Sequence, residues 1–225
     1  MECWICEDEA KTGEHKLKAS DLKAEFGKVT QANPIYMHTA KKKNIKINSI
    51  KKSNDVKSDA LICAICNNSR TSEYDKAWEA FAKYLKKRLS EKSIDTIKLE
   101  KVFPGNTKEQ MLNIHLYFLK LFGCAIEEGN MPIDISVFRD SILENKPHPK
   151  VYISFGDSRG MTTGNTDIHA KEYNGHISFA TWFYVTESIA ANIMYSDEAQ
   201  IRKGLSNAWH PSTVTKRLKL ERYKT

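Results

Sequence analysis

The sequence predicts an α+β protein in which a small N-terminal unit stapled by four cysteines precedes an α+β C-terminal extension. Three observations carry this expectation. Cys3-Trp4-Ile5-Cys6 and Cys63-Ala64-Ile65-Cys66 are both spaced as Cys-x-x-Cys, the spacing of metal-binding knuckles. A helical period begins soon after the second pair. Beyond Pro104-Gly105, helical stretches give way to runs rich in aromatic and β-branched residues.

Taken in order, residues 1–24 hold the first cysteine pair, the step Gly13-Glu14-His15 and a helix start at Ser20-Asp21. Residues from about 25 to 60 are polar, with Lys41, Lys42, Lys43, Lys46, Lys51, Lys52 and Lys57 scattered through them. Within this stretch "PIYMHTA" and "NIKINSI" suggest a two-stranded ribbon. It reads as an insertion between two halves of one metal-bound unit. After Cys66, Tyr74, Trp78, Phe81 and Leu85 recur at i, i+4, i+7 and i+11, and Ala77 and Ala82 widen the stripe. That pattern predicts an amphipathic helix running to about Ser90. Ser72 and Asp75 have the spacing of a capping box. Lys83, Lys86, Lys87 and Arg88 gather near the C-terminal end, where cations favour the helix dipole.

Pro104-Gly105 marks a boundary, dividing the chain into residues 1–100 and an α+β unit over 101–225. In the second unit "TKEQMLNIHLYFLKLFGC" predicts a helix ended by Gly123, and "PIDISVFRDSILEN" a helix starting after Pro132. "KVYISF" and "GHISFATWFYVT" predict strands, with "GDSRGMTTGNTD" as a loop between them. "YSDEAQIRKGLSNAW" predicts an amphipathic segment ahead of the basic tail "KRLKLERYK".

Composition bounds the class. The 225 residues are 40% hydrophobic and 28% charged, the balance of a soluble globular protein. No run of 18 apolar residues is present, so no membrane span is expected. "MECWICEDEA" lacks the basic start and apolar stretch of a secretory signal, and a cytoplasmic location is expected. In that reducing compartment paired cysteines serve as metal ligands rather than disulfides. The net charge is +7, and residues 1–90 carry 18 Lys+Arg against 12 Asp+Glu. Basic character therefore gathers in the cysteine-bearing half and in the tail. This suits a polyanion such as nucleic acid, although lysines that only keep a surface solvated give the same pattern.

Cys3, Cys6, Cys63 and Cys66 supply the four thiolates of a closed structural Zn2+ site. Such a site has no open coordination position, so any chemistry falls to groups that it holds in place. These are Glu14, His15 and Asn67. Neighbouring residues of a strand face opposite sides, so Glu14 and His15 could reach a metal and a substrate from different directions. Phosphodiester hydrolysis needs a base to activate water and a cation to neutralise the phosphate. His15 suits the base. The Glu14 carboxylate and the Asn67 carbonyl are hard oxygen ligands suited to Mg2+ or Mn2+. Asn67 also suits a helix cap, and Asn68 is a rival for its place. Arg70 suits either a phosphate contact or plain surface. Asp75 reads as a helix N-terminal charge, Trp78 and Phe81 as core, and Cys124 as a buried thiol.

The order Cys-x-x-Cys, Glu14-His15, Cys-x-x-Cys-Asn67, helix resembles the zinc-stabilised branch of the HNH (ββα-metal) endonucleases over residues 1–24 and 61–90. The resemblance implies an endonuclease that cuts phosphodiester bonds of nucleic acid, with DNA favoured. It implies His15 as general base, Glu14 and Asn67 on one Mg2+ or Mn2+ ion, and Zn2+ on the four cysteines. Lys41, Lys42, Lys43, Arg70 and the basic tail would then grip the backbone without reading sequence. Small proteins of this family resemble effectors of bacterial defence systems or mobile elements, which implies a protein partner on the C-terminal domain. Three features depart from the family pattern. Glu14 stands where Asp is commoner, the middle Asn has Asn44, Asn48 and Asn54 as candidates, and "KLKASDLK" replaces the apolar run that often follows the histidine. The alternative is a non-catalytic, zinc-containing nucleic-acid-binding module or a partner-dependent subunit.

Elsewhere, His115 sits in an apolar helix and reads as structural. His169 and His176, with Asp157, Arg159 and Asp167, suggest a polar patch. His210 reads as a helix end. Phe179, Trp182, Phe183 and Tyr184 read as core more than as a base-stacking platform.

Overall fold

A computed structural model describes residues 1–39, 41–91, 94–186, 188–197, 205, 207–213 and 216–223. The N-terminal part contains β1 (Thr12–His15), α1 (Ala19–Phe26), β2 (Ile35–Met37), β3 (Ile45–Ile47), β4 (Lys57–Ile62), α2 (Ser72–Glu91) and β5 (Thr96–Lys98). Next come α3 (Thr107–Glu128), α4 (Ser136–Leu143) and β6 (Val151–Asp157). The chain continues with β7 (Gly164–Asn165), β8 (His169–Tyr173), β9 (His176–Val185), β10 (Ile189–Ser196) and β11 (Arg217–Arg222).

β1 pairs antiparallel with β4, and β2 with β3, so the lysine-rich insertion forms its own ribbon between the strands of the first hairpin. The other strands form one seven-stranded sheet ordered β5-β11-β6-β10-β9-β7, with β8 also on β9. The fold is thus mixed helix and sheet, with four cysteines gathered at its N-terminal end.

The apolar stripe of α2 reaches the core as its period requires: Tyr74, Ala77, Trp78, Phe81, Ala82 and Leu85 are all buried. Trp78 stacks on Tyr117 of α3 and meets Phe118 edge-on, and it contacts Phe155 of β6 and Tyr184 of β9. Trp182 and Tyr184 are buried in this same core. One contiguous core runs from Cys3 to Leu220. Asp21 fastens α1 to both parts, accepting hydrogen bonds from Trp78 Nε1 at 2.8 Å and from the Tyr184 hydroxyl at 2.7 Å.

Several expectations need correction. α3 does not stop at Gly123 but runs on to Glu128. The glycine is there for packing: a Cβ would lie 2.4 Å from the Trp4 ring, which presses the first cysteine knuckle onto α3. The capping box does not form. The Ser72 hydroxyl donates to the Ser69 carbonyl, and Asp75 is taken up by lysines. The basic tail is a strand, with Leu218 and Leu220 buried and their charged neighbours turned outward. Among the described residues His210 lies in no helix. It follows Trp209, which bridges to Ile153, and it donates from Nε2 to the His148 carbonyl at 2.9 Å. Of the segment expected to be amphipathic over 195–209, Tyr195 and Ser196 belong to β10, and most of the rest lies outside the described residues.

Candidate metal centre and hairpin site

The first knuckle is a tight turn closed by two hydrogen bonds, from Cys3 N–H to the Asp8 carbonyl and from Glu7 N–H to the Cys3 carbonyl, both 2.8 Å. Glu7 takes the left-handed conformation that lets the chain reverse, at φ 66°. The second knuckle follows β4 directly. After Ile62 the chain makes one wide helical turn over Ile65–Ser69 before α2. Within it Cys66 N–H donates to Cys63 Sγ at 3.3 Å, and Asn67 N–H donates to the Cys63 carbonyl at 2.9 Å.

These turns bring all four sulfurs within 4.8 Å of one another, with Cys6 and Cys63 only 3.5 Å apart. A tetrahedron with Zn–S arms of about 2.3 Å has edges of about 3.8 Å. The cluster therefore has the dimensions of a four-thiolate zinc site. Cys3, Cys63 and Cys66 are buried. Burial pushes the Cys66 thiol well up and the Cys6 thiol up to about 11. Without a cation Cys6 and Cys66 would be held as thiols, while at Cys63 burial is outweighed by hydrogen bonds from the Cys66 N–H and the neighbouring thiols, which lower it. A metal charge would favour the thiolate at every one. Arg70 Nη1 points at Cys66 Sγ, 3.1 Å away. One arm of the guanidinium expected on phosphate or at the surface thus faces the cysteine cluster.

The hairpin strands are close neighbours here, because Gly13 has no side chain to hold them apart. A Cβ on it would lie 2.8 Å from the Ser58 carbonyl oxygen. The register shifts between Gly13 and His15, and the residues beyond alternate in direction. Glu14 and Lys16 turn toward α3, where Glu14 pairs with Lys120 and Lys16 with Glu128. His15 turns to the other side, and its Nε2 lies 3.2 Å from the Ile50 carbonyl. A carbonyl only accepts, so Nε2 carries the proton and the lone pair of the neutral ring sits on Nδ1. A backbone carbonyl thus orients the imidazole. Asn44, Asn48 and Asn54, the candidates for that task, are all exposed.

Lys120 is the site residue that sequence reasoning missed. Its side chain is 0% exposed, and its ammonium lies 2.8 Å from Glu14 Oε2 and 3.7 Å from Asp75 Oδ2. It also donates to Thr71 Oγ1 at 3.2 Å, and that hydroxyl donates to the Cys66 carbonyl. Burial works against its charge, yet Glu14 and Asp75 outweigh burial and hold the lysine above its ordinary value. The missed signal was a lone lysine inside "LYFLKLFGC". A charge at the centre of such an apolar run needs a buried counter-charge.

Both oxygens of Glu14 are therefore engaged, Oε2 by Lys120 and Oε1 by His15 N–H at 3.2 Å. Asn67 donates from Nδ2 to Thr12 Oγ1 at 3.1 Å. Glu14, His15 and Asn67 share one hairpin and its following turn, but their side chains do not meet. As placed, they do not form a hard-oxygen cage for Mg2+ or Mn2+, and the cysteines are the one metal-type cluster among the described residues. Lys41, Lys42 and Lys43 stand exposed in the insertion, with no carboxylate partner among the described residues. No helix among those residues is long and apolar enough to cross a membrane. No family model, no curated protein and no solved structure matches the chain.

Proposed function

We propose that the chain is a zinc-stapled endonuclease of the HNH type, acting in the cytoplasm on nucleic acid, with DNA the favoured substrate. One observation carries the reading. His15 leaves the first strand of an antiparallel hairpin with Nε2 on a backbone carbonyl, and the second strand runs straight into the cysteine knuckle and α2. In this arrangement the free Nδ1 of His15 takes the proton of the attacking water. The zinc on Cys3, Cys6, Cys63 and Cys66 holds the hairpin against α2 and does no chemistry. Lys41, Lys42 and Lys43 supply attraction to the phosphate backbone. A divalent ion on Glu14 would have to displace Lys120, so metal dependence is the sharpest test of the resemblance to this family.

A second reading is favoured by that same ion pair. With Glu14 neutralised by Lys120, the unit binds nucleic acid without cutting it. A nicking assay separates the two, using supercoiled plasmid, single-stranded DNA and RNA with Mg2+ or Mn2+. Wild type and His15→Ala are compared at equal zinc content. Cleavage that falls by roughly 10²- to 10⁴-fold in the variant supports the nuclease. Salt-sensitive retardation of DNA with no cleavage by either protein supports the binding module.

A further inference from the structure

A cavity of about 530 Å3 opens where β5, the turn after it, the start of α3 and the chain around β11 come together. Its floor is apolar, made by the buried Leu99, Met111 and Trp209. Its rim is cationic, with Lys98, Lys108, Lys216 and Arg217, all exposed. None of the four has a carboxylate partner among the described residues. Arg217 and Lys98 are direct cross-strand partners. Like charges in that position repel and destabilise a ladder, and an anion between them would remove the penalty.

Two further features set the side of Lys98, Lys216 and Arg217, which suits an anion, apart from the side by Glu100, which suits a donor group. α3 begins at the cavity with Thr107 and Lys108, and Asn106 before it gives no side-chain cap. The positive end of this 22-residue helix reaches the rim, where the Glu100 carboxylate already meets it. Glu100, the one rim carboxylate, accepts from Gly105 N–H at 2.8 Å and from the Thr107 hydroxyl at 2.9 Å. It can still accept from a ligand's amino or hydroxyl group. The volume falls within the roughly 300–1,000 Å3 of small-molecule sites.

We propose that this cavity binds a nucleoside phosphate, its phosphates between Lys98, Lys216 and Arg217 and its base over Leu99, Met111 and Trp209. The nucleotide is either free or the terminal unit of a single strand. The site shares no residue with the cysteine hairpin, and the proposal stands whether or not that hairpin cuts nucleic acid.

The test is calorimetric titration of the zinc-loaded full chain at low salt. The probes are ATP, AMP, adenosine, inorganic phosphate and a 5′-phosphorylated single-stranded oligonucleotide. Saturable ATP or AMP binding is expected, with adenosine and phosphate each weaker. Lys98→Glu/Arg217→Glu should weaken it by roughly tenfold or more, about the loss of one charge-assisted hydrogen bond. Lys108→Glu, on a different element, gives an independent second reading, and His15→Ala should bind as wild type. Binding of the oligonucleotide alone, lost in the same variants, assigns the site to a strand end. Absence of saturable binding by every probe overturns the proposal, and so does equal binding by wild type and both charge-reversed variants.

Discussion

α3 carries two fully buried polar side chains, His115 and Lys120, and the protein treats them in opposite ways. Lys120, facing the hairpin, keeps its charge and is surrounded by Glu14, Asp75 and Thr71. His115, facing the sheet side, keeps no charge. Its Nε2 accepts from His148 N–H at 3.1 Å, and His148 Nδ1 accepts from Lys150 N–H at 3.1 Å. His210 lies against both, its ring 5.5 Å from His115. Burial lowers His115 well below its usual range and His148 to about 3. One side of the helix thus pairs a buried charge, and the other forbids one. The difference teaches where each half is vulnerable: the first to loss of a partner, the second to gain of a proton.

Breaking the charged side should have the largest effect. Lys120→Met strands Glu14 beside an apolar helix, Asp75 keeping only Lys18, and should cost about 3–5 kcal/mol, read from urea unfolding midpoints. Adding Glu14→Gln should recover a large part of that loss. A single variant as stable as wild type would show that the ion pair does not hold the hairpin to α3.

Acid should break the neutral side next. Above about pH 6.5 the histidines are neutral in both states. Below it the unfolded chain takes up protons that native His115 and His148 refuse, so stability falls with pH toward about 3. His148 should contribute a loss of about 2 kcal/mol between pH 7 and pH 5, and His115 a loss of the same sign. His148→Gln should flatten the slope of stability against pH. The Lys120 pair responds at the other end of the scale. Its contribution is full below the ordinary lysine value and fades as pH rises through the raised one. The smallest effect is expected at Ser72→Ala, within about 0.5 kcal/mol. A working N-cap would cost nearer about 1 kcal/mol, but the half-buried Ser72 makes only a solvent-exposed, non-capping bond.

What was legible in the sequence was local. Cys-x-x-Cys spacing, the stripe of α2 and the ribbon over 35–47 each depend on residues a few positions apart. What was not legible depended on distant partners. Gly123 reads as a helix stop until Trp4 is known to lie on it. Glu14 reads as a metal ligand until Lys120 arrives from 106 positions later. β10, "IAANIMYS", shows no alternation of a half-buried strand because it lies between β6 and β9 with most positions buried. The charges of "KRLKLERYK" hid a two-residue alternation, Leu218 and Leu220, that belongs to a strand.

β11 has a consequence for how the chain is made. It sits between β5 and β6, antiparallel to the first and parallel to the second. During synthesis those two strands leave the ribosome long before residues 217–222 exist, and each then offers an unpaired edge to whatever is near. The cysteine hairpin and α2 are complete by residue 91, but the sheet cannot close until the final strand slides in. The nascent protein therefore completes its cysteine knuckles early and its sheet last.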